Sequence, residues 1–180
     1  PDAGAIVVGG HYDHAAKGRG AVDDWSGAAL LPSIYQSMKP DAHRHRIVFI
    51  AFSAEETGLN GSGAYVHKLS KAGRAEVRAM INLECLGVAP PKGADKRLLA
   101  AFIAVSRSLG VPPEGTNVDD VGDDDSHPFL DARIPVLTIH SLTQQTLGIL
   151  HSARDQLDAI HPGTAYKLAA MYLAYLDGTL

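Results

Sequence analysis

Glu55 and Glu56 are adjacent carboxylates that close the apolar run Ile47-Val48-Phe49-Ile50-Ala51-Phe52. A β-branched apolar stretch ending in acids predicts a buried strand that delivers charge to the edge of a sheet. Buried carboxylates are costly unless they are paired or bound to a metal. In open α/β sheets, ligands collect at the carboxyl ends of the strands. Adjacent acids there can divide a task, one holding a cation while the other handles a proton. Taken alone, the pair reads as a solvated turn. The pattern recurs, however: His11 follows the apolar residues 5–10, and Glu84 follows residues 77–83. The loop after the first run adds Asp23, and a late loop adds His151. Imidazole and carboxylate donors form the kind of set that zinc takes.

The elements that must position these residues alternate between strand and helix. Residues 5–10 predict a first strand running straight into His11. Asp23 and Asp24 can cap a helix reaching about Met38, with Ser26-Gly27-Ala28-Ala29 as a close-packing first turn. Pro32 falls inside that helix and predicts a bend. Residues 46–52 and 77–83 read as strands two and three, with a short helix over 62–69 between them. Residues 94–109 repeat apolar positions at helical spacing through Leu98, Leu99, Phe102, Ile103 and Val105. An acidic loop with Asp119, Asp120, Asp123, Asp124 and Asp125 follows. Residues 134–139 read as another strand, with Pro135 near its start, and a last helix covers about 163–176. This alternation predicts an α/β fold, a mainly parallel sheet covered by helices on both faces.

Composition bounds the chemistry. At 180 residues and 46% hydrophobic content, the chain suits one compact domain. A formal charge of -4 with no dense Lys/Arg cluster argues against nucleic acid as the main partner. No apolar run approaches the roughly 20 residues needed to span a membrane. Cys85 is the only cysteine, which rules out an internal disulfide and a thiolate zinc cluster. A metal must therefore be held by carboxylates and by some of the nine His. The chain starts Pro-Asp-Ala-Gly-Ala without Met and reads as a processed or trimmed piece of a longer precursor.

The chain resembles the zinc aminopeptidases typified by bacterial leucyl aminopeptidase, whose relatives include glutamate carboxypeptidase, glutaminyl cyclase and the transferrin receptor. The resemblance rests on Val-Val-Gly-Gly-His-Tyr-Asp at 7–13, Gly-Ala-Val-Asp-Asp-Trp-Ser-Gly at 20–27 and Phe-Ser-Ala-Glu-Glu-Thr-Gly-Leu-Asn-Gly-Ser at 52–62. It continues through Ile-Asn-Leu-Glu at 81–84, Pro-Phe-Leu-Asp-Ala-Arg-Ile-Pro at 128–135 and Leu-His-Ser-Ala-Arg-Asp at 150–155. Each stretch is weak evidence; the ordered set is specific. It implies a three-layer α/β/α phosphorylase/hydrolase-like zinc peptidase fold with a mainly parallel, mixed sheet. It also implies that residues 1–180 form a single catalytic domain without an N-terminal segment of the precursor.

By the same resemblance, two Zn2+ ions are expected per chain. His11 and Glu84 would hold one, Glu56 and His151 the other, and Asp23 would bridge them. Glu55 matches the general base, and Asp13 matches an acid that orients the His11 ring. Metal-binding His usually donates its second ring N–H to a carboxylate or carbonyl, which suits that role. The implied substrates are peptides with a free N-terminus, cleaved at the terminal bond, in a secreted or periplasmic setting, with a cytoplasmic one also open. Two departures stand out. The family most often has Asp where this chain has Glu84, and Asp125-Ser126-His127-Pro128 fits its Ser-Asp-His segment only loosely. Two other classes remain open: a single-zinc glutaminyl cyclase, and a non-catalytic domain of the transferrin receptor kind.

Other residues invite plainer readings. His43 and His45, among Arg44 and Arg46, read as solvated turn residues, and His67 as a surface residue. His14 lies near His11 in sequence without matching the family pattern, and His161 before Pro162 reads as a helix-start residue. His140 can border the cleft, Trp25 can wall it or pack in the core, and Asp125 can line it or sit in a solvated loop. Cys85 reads as a small buried hydrophobe.

Overall fold

The computed structural model describes residues 3–39, 42–87, 95–110, 122–161 and 165–180. Four strands carry the fold: β1 (Ala5–His11), β2 (Arg46–Phe52), β3 (Val77–Glu84) and β4 (Val136–His140). All four described strands run parallel, in the order β2-β1-β3-β4. The helices are α1 (Ser26–Ala28), α2 (Leu30–Met38), α3 (Asn60–Lys68), α4 (Lys71–Glu76), α5 (Lys96–Ser108), α6 (His127–Asp131) and α7 (Ala165–Thr179). The short α4 and α6 are absent from the sequence-based expectation. The acidic residues Asp119 and Asp120, and the expected start of the last helix at 163, lie outside the described residues.

Strand alternation sorts the core into two layers. Ile6, Val8, Ala79, Ile81, Leu83, Leu137 and Ile139 pack with residues of α2, α5 and α7, including Leu31, Phe102 and Tyr172. Val7, Met80 and Val136 point the other way and pack with Phe52, Val66 of α3 and Phe129 of α6. The sheet is thus sandwiched between helices, as a parallel sheet with apolar strands requires. Phe102 and Tyr172 meet edge-to-face with centroids 5.2 Å apart, and the Tyr172 hydroxyl donates to the Leu98 carbonyl at 2.8 Å.

The helix expected over 23–38 is broken, though not at Pro32. Asp23 and Asp24, joined by a cis peptide bond, belong to an irregular turn over Ala21–Trp25, and the helix breaks again at Ala29. Pro32 becomes the third residue of α2, where its missing N–H is one the helix would leave unpaired. The expected bend has moved to the N-terminal side of the proline, where the ring would meet the preceding turn.

His43 and His45 overturn their reading as solvated turn residues. His45 is 1% exposed. Its backbone N–H donates to Asp177 Oδ1 at 2.7 Å, and its Nδ1 lies 3.1 Å from the same oxygen. His43 Nδ1 is 3.1 Å from Asp177 Oδ2, which also accepts the Arg44 N–H at 3.2 Å. Burial opposes the Asp177 charge, yet these hydrogen bonds hold its carboxyl below the usual range. The cluster pins the end of α7 to the start of β2.

The strand order has one functional consequence. The chain leaves β1 toward β2, returns across the sheet to β3, and then continues to β4 on the far side. The carboxyl ends of β1 and β3 therefore flank a topological switch point, where α/β sheets open a crevice for ligands.

Candidate metal centre

β1 ends at His11 and β3 at Glu84, on strands that are direct neighbours. Both residues share a sheet face with Asn82, and Asn82 Nδ2 donates to Glu84 Oε2 at 2.9 Å. Glu84 Oε1 lies 3.3 Å from His11 Nε2, and Asp23 Oδ1 lies 3.2 Å from the same nitrogen. A second group sits alongside. His151 Nε2 is 3.2 Å from Asp23 Oδ2 and 3.0 Å from Glu56 Oε2. Asp23 thus turns one oxygen to each group. The first triad is buried, whereas His151 of the second is exposed. Glu55 Oε2 stands at the edge, 3.9 Å from His11 Nε2.

Close backbone approach makes this assembly possible. A Cβ at Gly10 would stand 2.9 Å from both Asp24 Oδ2 and the Leu83 carbonyl. A Cβ at Gly27 would collide with the Leu83 carbonyl and reach 2.6 Å from Asp24 Oδ2. The glycines let the 21–27 turn lie directly on the strand ends. Asp24, fully buried, fastens it there. Its Oδ2 accepts the His11 N–H at 3.2 Å, and its Oδ1 accepts those of Gly27 at 3.0 Å and Cys85 at 2.9 Å. Ser26 Oγ adds a bridge by donating to the Val22 carbonyl at 2.7 Å and accepting the Leu86 N–H at 2.7 Å.

Asp13 fastens a different part. Its carboxylate accepts the backbone N–H of Glu55 at 3.2 Å and of Glu56 at 3.3 Å. His11 Nδ1 faces the Asp13 carbonyl at 3.1 Å, with Oδ1 farther away at 3.6 Å. The Asp13 backbone is therefore the nearer partner of the ring, while its side chain sets the turn that presents both glutamates. Glu56 Oε1 accepts the Ala15 N–H at 2.9 Å, which leaves Oε2 for His151. The His151 loop is tied to the 21–25 turn by Asp155, whose Oδ1 accepts the Val22 N–H at 2.6 Å. Three non-glycine residues beside these side chains, Ala54, Cys85 and His151, take positive φ angles of 56°, 47° and 52°. Such backbone costs about 1–2 kcal/mol each and gathers at functional sites.

The electrostatics are those of acids crowded without enough cations. Burial first, then the Glu84 charge, pushes Glu55 up to about 8. Burial likewise raises Glu84 to about 7, against the pull of His11. Asp24 is raised by burial and by Glu84, and Glu56 by burial and by Asp23. Burial works against a charged His11, but its hydrogen bonds to Asp23 and Glu84 outweigh it and hold the ring proton tightly. Cys85 Sγ lies 3.5 Å from both Asp23 Oδ1 and Glu84 Oε1, and burial pushes its thiol up, so it stays protonated beneath them.

These donors fit zinc. A tetrahedral ion with bonds of about 2.0–2.1 Å keeps its ligand atoms about 3.3 Å apart. The four separations measured within the two triads run from 3.0 to 3.3 Å. The donor chemistry, imidazole nitrogen and carboxylate oxygen, also suits it.

The profile of peptidase family M28 matches residues 1–176. The chain belongs to this family. Among curated relatives, leupeptin-inactivating enzyme 1 of Streptomyces exfoliatus is 31% identical over 140 residues. That match covers 73% of this chain and 31% of the relative. The solved aminopeptidase from Aneurinibacillus sp. strain AM-1 superposes with a TM-score of 0.80 at 27% identity, over 96% of this chain and 43% of that one. The glutaminyl cyclase of an Acidobacteriales bacterium, 19% identical, shares the fold with a TM-score of 0.80, over 99% of this chain and 69% of that one. The chain spans about a third or less of the curated relatives' length.

The two triads open into a cleft of about 510 Å³. Asp123, Asp124 and His140 line it beside the triads, with Leu59, Leu142 and Leu150 as apolar wall. Asp124 is fixed by hydrogen bonds from the Ser126 N–H at 2.8 Å and Thr138 Oγ1 at 2.7 Å. Asp125 does not sit in a solvated loop. It is fully buried, and burial pushes it up to about 6. Trp25 is half exposed and is not among the cleft's lining residues, so it neither packs in the core nor walls the cleft. Asp24, Asp155 and Asp124 were missed as site residues, and for Asp24 the only sequence signal is its cap position before Gly27.

Proposed function

We propose that this chain carries the centre of a zinc-dependent exopeptidase that removes N-terminal residues from peptides. The observation that supports it is the pair of donor triads sharing Asp23. In this reading His11, Asp23 and Glu84 hold one Zn2+, and Asp23, Glu56 and His151 hold the second. When bound, the ions supply Lewis acidity, polarising the scissile carbonyl and easing loss of a proton from water.

The residues supply the rest. Glu55, whose Oε2 stands 3.9 Å from His11 Nε2 and whose side chain is mostly buried, takes that proton and returns it to the leaving amine. A base whose own proton affinity sits near neutrality works in both directions, and burial moves Glu55 that way. Asp13 holds the Glu55 and Glu56 amides, and so their side chains, in register. Glu84 and Asp124 give the cleft a negative end suited to a free α-ammonium, and Leu59, Leu142 and Leu150 suit an apolar terminal side chain. Peptides with blocked amino termini should be cleaved poorly; equal cleavage would refute the ammonium assignment.

A single-zinc glutaminyl cyclase is the second reading, favoured by the fold likeness to that enzyme. Two complete triads favour the peptidase. The deciding experiment combines metal analysis with Glu55→Gln. About two zinc ions per chain, retained in the variant, with kcat lowered by about 10²–10⁴, support the reading. One ion per chain favours the cyclase, and unchanged turnover removes Glu55 from the chemistry.

A further inference from the structure

The amino ends of β3 and β4 carry a second concavity, about 640 Å³ in volume. From Val77 to Glu84, β3 spans about 23 Å, so this groove lies at the far end of the sheet from the metal centre. Lys71, Arg74 and Arg133 line it over apolar residues that include Leu69, Val77 and Ile134. No acidic residue is among the lining residues, although the chain as a whole is negative. Among the described residues, none of the three cations has a carboxylate within 4.0 Å. The nearby Glu76 pairs with Arg46 instead. Arg74 Nε is buried and has no hydrogen-bond partner among the described residues. Arg74 as a whole is only partly buried, so its guanidinium is a partly exposed fork without a carboxylate partner among the described residues.

We infer that this groove binds an oxyanion, a carboxylate or phosphate carried on a small apolar body. Arg74 and Arg133 offer planar N–H pairs that match two oxygens of such a group, and Lys71 adds a point charge. Leu69, Val77 and Ile134 form the apolar floor beneath the attached body. Arg133 sits just past the end of α6 at φ 61°, a left-handed position that glycine takes without strain. Arg133→Gly therefore removes one cation while easing the backbone. Anion binding here is independent of the peptidase reading.

The test is an amide NMR titration of the zinc-loaded chain with phenylphosphate and with hexanoate. Saturable shifts at residues 71–77 and 132–134 are expected, with millimolar or tighter affinity. Arg133→Gly and Arg74→Gln should each weaken binding about tenfold or more. If Arg74→Gln unfolds, Arg133→Gly and Lys71→Gln carry the test alone. Tighter binding of phenylphosphate assigns a phosphate monoester, and tighter binding of hexanoate assigns a carboxylate. Shifts confined to the metal cleft, shifts that do not saturate, or equal affinity in Arg133→Gly and Lys71→Gln would overturn the assignment.

Discussion

Replacing Asp24 with Asn tests whether one buried carboxylate holds the metal centre's frame together. In the Asp24→Asn variant the side-chain oxygen can still accept from Gly27 and Cys85, as Asp24 Oδ1 does at 3.0 and 2.9 Å. The amide nitrogen then replaces Oδ2 and faces the His11 N–H, donor against donor, across 3.2 Å. One hydrogen bond to a charged group is lost, worth about 1.5–3 kcal/mol, and a buried N–H is left unpaired. Against this, the buried charge is removed, and burial and Glu84 both oppose that charge. The hydrogen-bond loss outweighs that relief, because three backbone donors converge on the carboxylate. The expected net loss is about 2 kcal/mol, which lowers Tm by about 4–8 °C for a chain of this size. Urea unfolding of metal-free protein, monitored by far-UV circular dichroism, should show a lower midpoint at unchanged m. A variant as stable as the parent, or more so, would mean that Asp24 is a protonated acid whose charge never contributed.

Other outcomes follow from the same geometry. Gly27→Ala would normally favour a helix, but its Cβ meets the Leu83 carbonyl. A loss of about 1–3 kcal/mol with impaired zinc uptake is expected by denaturation and metal analysis. Glu84→Asp shortens a carboxylate that stands 3.3 Å from His11 Nε2 and should weaken zinc affinity in chelator competition; unchanged affinity would remove Glu84 from the ligand set. Metal-free protein should lose stability as pH rises from about 5 to 8. Glu55 at about 8, Glu84 at about 7 and Asp125 at about 6 are all raised on folding, so the folded state binds more protons than the unfolded one in that window. His11, also raised, acts in the same direction. A Tm that climbs across that range would contradict this. Zinc at about 100 times its Kd should add about 2.7 kcal/mol, and EDTA should remove it.

The readable part of this fold was local. Each strand is a short apolar run, and the polar residue that ends it is visible in sequence because period and composition change together. His11, Glu56 and Glu84 stand out that way, and the two triads bring them together with Asp23 and His151. The unreadable part depends on distant partners. His45 looks like a basic turn residue until α7 brings Asp177 beneath it, 132 residues later. Asp125 looks like one acid among several, because nothing local announces that the α6 start is buried. Asp24 reads as a helix cap, which it is for Gly27, but its bonds to the His11 and Cys85 amides require β1 and β3 to be in place. Pro32 signalled a break, yet packing placed that break at Ala29.

The tether between Val22 and Asp155 closes a span of 133 residues. All four described strands end by His140, so these strands precede the last part of the centre in the chain. During synthesis, β1 to β4 can pair while the centre still lacks His151 and the carboxylate that anchors its loop. Only when residues 151–155 arrive does the second triad close. The second triad therefore closes late in time, and a chain stopped short of that segment lacks both His151 and α7, whose Tyr172 and Leu173 pack into the core on the sheet.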